Sequence, residues 1–252
     1  SALIRQTAAR ELLDLGQGVS EVKEYLLETL KSPPSPREFQ NAMKLLAGVP
    51  EPEPVMRSLV KDLIAGTVAR AVQLDVLEAA GRMSNKDETL RTLLDAYKAA
   101  MARQGPLAEF DVALEGGNAR GGRNTFLNNA ALACSKCHAL KNTDKQIGPS
   151  LGGVGKRKSA AYLLESLIDP QAAITPGYGL VTLTLNDGSK ITGTLMAETA
   201  EGLSVKHTDG SEMTYPLPSI KSKTKPVGPM PDVRAPLNKR QLRDLVAYLS
   251  SL

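Results

Sequence analysis

Tryptophan is absent from the 252 residues, and phenylalanine occurs only three times. Nucleic-acid binding by base stacking needs aromatic platforms on a basic face, and this composition argues against it. Long apolar runs are also missing, so neither a membrane span nor a signal peptide is legible. Strong net charge is missing too: the formal value is +4. Residues 1–105 hold 14 basic and 14 acidic side chains, and the remainder hold 17 and 13. An ordinary solvated surface accounts for that excess, and lysines around a redox centre could also steer an acidic partner. Cysteine and histidine occur twice each, which leaves few residues for a metal or nucleophile site.

Both cysteines and one histidine stand together, in Cys134-Ser135-Lys136-Cys137-His138. This is the spacing of c-type haem attachment. Two thiols two residues apart can add across the two vinyl groups of one porphyrin. The next residue then lies beneath the ring, where its imidazole can bind iron. The same residues could form a redox dithiol, a disulfide or half of a zinc site. Zinc would need a fourth ligand, and only the distant His207 is on offer. A thioredoxin-like site would need a βαβ context, which is missing.

Residues 1–105 read as helices. Leu3, Ile4, Ala8, Leu12 and Leu15 recur at helical spacing, as do Val22, Tyr25, Leu26 and Leu30. Pro33-Pro34 ends the second helix. Phe39, Met43 and Leu46 mark a third, and Val55, Leu59, Leu63 and Ile64 a fourth. Val68, Val72, Val76 and Ala79 mark a fifth, and Leu90, Leu93, Leu94 and Tyr97 a sixth. Superposing Leu12–Leu30, Leu45–Leu63 and Val76–Leu94 gives a repeat of about 31–33 residues, in the range of helix-pair solenoids of HEAT type. A non-repetitive bundle is the alternative. Without His or Cys, this part carries no catalytic constellation, and Met43, Met56, Met83 and Met101 read as core fillers. Arrays of this kind act as spacers or docking surfaces.

Gly105-Pro106 breaks the sixth helix, and residues 106–116 read as a connector pinned by Phe110 and Leu114. A helix is expected over 118–129, with Gly122 and Phe126 on one face. Ser159 is placed to cap a helix that Asp169-Pro170 ends. The period then changes to two: Val181, Leu183 and Leu185 alternate with Thr182, Thr184 and Asn186. Asp187-Gly188 and Asp209-Gly210 are hairpin signals between such runs, and Ser219–Thr224 reads as a fifth strand. A compact β-sheet or small barrel is therefore expected at about 179–225. Asn238 and Gln241 have capping-box spacing at the start of a last helix, with Leu242, Leu245, Val246 and Leu249 as its buried stripe.

The order Gly122/Phe126, Cys134–His138, Gly148-Pro149, Pro229-Met230-Pro231 and a final helix with Leu245 and Tyr248 resembles class I cytochromes c. The run Gly148-Pro149-Ser150-Leu151, Val154-Gly155-Lys156-Arg157, Leu163–Pro170 and Pro176-Gly177-Tyr178 looks more closely like the haem-binding domain of large planctomycete and verrucomicrobial proteins. Those are often described as membrane-bound dehydrogenases, and helical repeats commonly precede their cytochrome. With the patterns above, the expectation is a mainly α chain with a small β insert: HEAT-like helical repeats at 1–105, then, as the resemblance implies, a class I cytochrome c fold at 117–252, interrupted by the sheet that small minimal cytochromes lack. The resemblance implies one covalent haem c and the Gly148-Pro149 segment on its proximal side. It also implies a dehydrogenase donor and a downstream acceptor as partners. On this reading the chain has no activity alone and is the electron-carrier part of a larger, exported, periplasmic or envelope protein. The start at Ser1, inside a helical pattern and without Met, fits a piece of a longer chain.

Four residues compete as the second axial ligand. Met196 and Met213 fall in predicted strands, where they read as sheet packing. His207 precedes a hairpin turn and is expected in solvent. Met230 lies between two prolines, which lower the entropy a loop loses in presenting a thioether to iron. It also holds the position implied by the cytochrome order, so His138 and Met230 are the expected iron ligands. That pair would close both axial positions and leave electron transfer as the function. An open position would instead allow peroxidase or sensor chemistry. A scaffold with an ancillary haem is the reading from another class. Arg157 and Tyr178 are candidate propionate partners. With no ligand cluster, the insert is expected to shield the haem or dock a partner. Its removal over 180–224 is expected to leave Met230 in place.

Overall fold

The computed structural model describes residues 2–141 and 147–252, with the side chains of Ala2 and Leu3 outside that description. Two compact units emerge. One comprises residues 1–118 with Lys239–Ala247, the other Ala119–Asn238 with Tyr248–Leu252.

In the first unit the apolar stripes fold into six helices: α1 (Ala2–Asp14), α2 (Val19–Lys31), α3 (Pro36–Leu46), α4 (Glu53–Ile64), α5 (Arg70–Met83) and α6 (Glu88–Gln104). Their starts follow local chemistry. Ser35 accepts from the Glu38 amide at 3.2 Å, with Pro36 in the first turn. Asp87 accepts from the Leu90 amide at 3.0 Å and also takes Arg57 at 2.9 Å. Helices α1, α3 and α5 lie side by side, as do α4 and α6, around one core that includes Leu26, Leu46, Met56, Val60, Val76 and Leu90. Met43 and Met56 are buried, and Met83 and Met101 pack partly against the same core. Ile4 and Leu15, expected on the buried stripe, are more than two-thirds exposed. Ile4 lies in the first turn of α1, and Leu15 lies beyond its last residue.

Residues 106–116 are more structured than a connector. A 3₁₀ turn at Ala108–Ala113 buries Phe110, Val112 and Ala113. Lys239 then places its ammonium 5.2 Å from the Phe110 ring centre and pairs with Glu109 at 2.8 Å.

The second unit contains α7 (Ala119–Asn128), the single turns α8 (Cys134–Cys137) and α9 (Val154–Arg157), α10 (Ala160–Ile168) and five strands. Ser159 caps α10 by accepting from the Tyr162 amide at 3.2 Å, and Asp169 ends it. Phe126 meets Tyr248 with ring centres 5.8 Å apart, both buried. Tyr248 lies in the last helix, α11 (Lys239–Ser250), which begins directly after Asn238.

The strands are β1 (Gly179–Leu185), β2 (Lys190–Glu198), β3 (Gly202–Lys206), β4 (Glu212–Pro216) and β5 (Ile220–Lys223), antiparallel in the order β4-β3-β2-β1-β5. Both Asp-Gly pairs turn hairpins, with Gly188 and Gly210 at φ 87° where a side chain would be strained. In a flat sheet β4 and β5 would stand four strand spacings apart, roughly 19 Å. The chain from Pro216 to Ile220 reaches at most about 14 Å. The sheet must therefore coil, helped by register shifts at Thr184/Leu185 and Leu195/Ala197. Val181, Leu183, Leu203, Val205 and Tyr215 form its buried cluster.

Candidate functional site

The short helix α8 follows Ala133, a non-glycine residue in the left-handed region at φ 47°. That kink halts the chain after α7 and restarts it as one turn, closed by His138 N–H donating to Cys134 O at 2.9 Å. A three-residue separation puts Cys134 and Cys137 on one side of that turn. Both are free thiols and half-buried. Burial, reinforced by Cys137, holds the Cys134 thiol above the ordinary range against the opposing pull of backbone hydrogen bonding. A redox dithiol needs the opposite shift.

His138 leaves the turn in an extended conformation, and residues 148–151 return alongside it. Gly148 N–H donates to Cys137 O at 3.0 Å, and Leu151 N–H to Ala139 O at 2.8 Å. This brings the Pro149 carbonyl to 2.8 Å from His138 Nδ1. A carbonyl only accepts, so Nδ1 carries the proton, and in the neutral form of the ring the lone pair is on Nε2. Gly148 lies against the same ring: a Cβ there would stand 2.7 Å from Cε1 and 3.0 Å from Nδ1. The cytochrome resemblance implied that Gly148-Pro149 lies on the histidine's side of a haem. The structure supplies the segment's mechanics, a carbonyl to hold the ring and a bare Cα to make room for it.

Arg157 is exposed and donates to Gly152 O at 2.7 Å, bracing the loop that follows Pro149. Tyr178 is half-buried in a turn where its amide donates to Thr175 O at 3.1 Å.

Met230 is half-buried in a segment without regular structure. The residues just before it are held on two sides. Leu180 and Val227 exchange two backbone hydrogen bonds, each 2.9 Å, extending β1 by one bridge. The Gln171 amide donates to Gly228 O at 3.1 Å and accepts from Gly228 N–H at 2.9 Å. Gln171 had no sequence signal: a polar residue after Asp169-Pro170 reads as an ordinary loop. The bridge corrects one expectation. Leu180 in the sheet's first strand is bonded to Val227, three residues before Met230, so removing 180–224 would also take away that tether.

The competing residues are differently placed. His207 is half-buried, against expectation, because Nε2 lies 3.0 Å from the Tyr215 hydroxyl, the two rings edge to face. Met213 does not pack in the sheet: it is 54% exposed, with its sulfur 3.8 Å from the same hydroxyl. Met196 is half-buried, and its methyl carbon would lie 3.8 Å from a Cβ at Gly177.

Among the described residues no three His, Cys, Asp or Glu side chains gather to hold one metal ion. Nor is any helix there long and apolar enough to cross a membrane. No protein-family model matches the chain, and a search among curated proteins returns no match.

Proposed function

We propose that the chain is an electron-transfer module carrying one covalent c-type haem, with Cys134 and Cys137 as attachment points and His138 and Met230 as axial ligands. The observation that carries this reading is the His138–Pro149 hydrogen bond. In the neutral ring it puts the proton on Nδ1 and leaves the lone pair on Nε2, and it stops the ring from turning. A ligating imidazole needs both. The thiols are consistent with thioether attachment: they share one side of a turn and are free of any disulfide.

The haem supplies a one-electron iron couple when bound. The protein's share is placement. Pro149 and Gly148 set the imidazole. Pro229 and Pro231 restrict the loop that presents the Met230 thioether, a soft ligand that favours reduced iron. The contact of Phe126 with Tyr248 is consistent with a class I cytochrome c fold. The side-by-side helices α1, α3 and α5 favour HEAT-like stacking over an irregular bundle. An exported location follows from the haem reading, and a dehydrogenase donor with a downstream acceptor follows from the resemblance to the haem-binding domains of membrane-bound dehydrogenases.

The test is maturation with a haem-attachment system. Intact mass should exceed the apoprotein by one haem, and the pigment should resist acid-acetone extraction. Cys134→Ala with Cys137→Ala should abolish both. The oxidised protein should show the weak far-red band of iron–thioether bonding, and Met230→Ala should remove it. Zinc in place of haem overturns the reading. Rapid binding of carbon monoxide by the unaltered protein replaces electron transfer with ligand chemistry.

A further inference from the structure

We infer that Gln171 is a positioning residue for the Met230 ligand, an inference that rests on the axial role of Met230 proposed above. The side-chain amide of Gln171 meets the backbone of Gly228 with both of its hydrogen-bonding groups, at 3.1 and 2.9 Å. It thereby imitates a neighbouring strand. Leu180 does the same for Val227 with true backbone bonds. Two consecutive residues, Val227 and Gly228, are thus each gripped by a two-bond clamp, and Met230 follows two residues later. The clamp also depends on closeness. Gly228 sits so near Ile174 that a Cβ would lie 2.9 Å from its Cδ1. Ile174 and Gln171 belong to the same loop after α10, so one short segment supplies both the polar grip and the wall behind it.

The restraint matters because a thioether is a weak, neutral ligand. A loop that wanders lowers the fraction of time sulfur stands at the iron, whereas a loop already held loses little entropy on binding. Gln171 spends both its donor and its acceptor on Gly228, so its effect should fall on ligation and leave haem attachment alone.

The experiment compares holoproteins carrying Gln171→Ala and Gln171→Glu with the unaltered protein, by covalent haem content, far-red absorption and cyanide titration of the oxidised iron. Losing both bonds should raise apparent cyanide affinity about tenfold to a hundredfold. Gln171→Glu keeps the acceptor for Gly228 N–H but not the donor, so it should fall between. Haem content should stay at one per chain in both. An unchanged band and cyanide affinity in Gln171→Ala, with the band present in the unaltered protein, overturns the inference alone. A band missing from the unaltered protein overturns the assignment of Met230 beneath it.

Discussion

Asp75 and Arg243 form a buried ion pair, 2.7 Å apart and 3% and 2% exposed, across 168 positions of sequence. Asp75 also holds Arg240 at 3.0 Å, and Arg240 bonds Glu78 as well. Arg243 Nε is buried without a partner. Asp75→Ala would strand a buried guanidinium and should cost about 3–5 kcal/mol. Arg243→Met should cost less, because Asp75 keeps Arg240. Asp75→Leu with Arg243→Met should recover most of the loss. Urea unfolding of the four proteins checks the order. A fragment of residues 1–105 lacks both arginines and should unfold more easily than the unit that contains them.

Gly148→Ala should disturb the imidazole without touching it chemically. The new Cβ would sit 2.7 Å from His138 Cε1, and the ring cannot retreat without giving up Pro149. Overpacking of this kind costs about 1–3 kcal/mol. Nitrogen NMR of the apoprotein should report the Nδ1–H tautomer in the unaltered chain and a tautomer mixture in the variant. A mixture in the unaltered chain would remove the main support for iron ligation.

Replacing residues 180–224 with a Gly/Ser linker should leave covalent haem but weaken the far-red band, because Val227 loses Leu180. Replacing 187–218 instead keeps β1 and its bridge, and should spare the band. Equal bands in the two deletions would mean that the sheet contributes nothing to the Met230 loop.

The two hairpin turns carry a pH dependence of known sign. The Ser189 hydroxyl and amide, at 2.6 and 2.8 Å, hold the Asp187 carboxyl below its usual range, and Ser211 does the same for Asp209 at 2.6 and 2.9 Å. A carboxyl depressed in the folded state adds stability that is complete above its unfolded value, about 3.9, and is lost as pH falls through the folded value. Ser189→Ala and Ser211→Ala should move each carboxyl back toward that value in a carbon-detected NMR titration. They should also flatten the acid limb of stability. Unmoved titrations would show that the turns, not the serines, set the acidity.

Much of this protein is local, and local features are written in adjacent residues. Helical periodicity announced α1 to α6, Asp-Gly pairs announced both hairpins, and Ser159 with Asp169-Pro170 bounded α10, because each depends on groups a few bonds apart. The Cys134–His138 spacing belongs to the same class. Tertiary structure decided what distant segments do to one another. It set the Pro149 carbonyl on His138, turned His207 onto Tyr215, left Met213 in solvent and gave Asp75 its arginines. It also brought Gln171 and Leu180 to the residues before Met230. Those pairings depend on how strands pair and how loops return, and a hydrogen bond between residues from 8 to 168 positions apart leaves no periodicity behind.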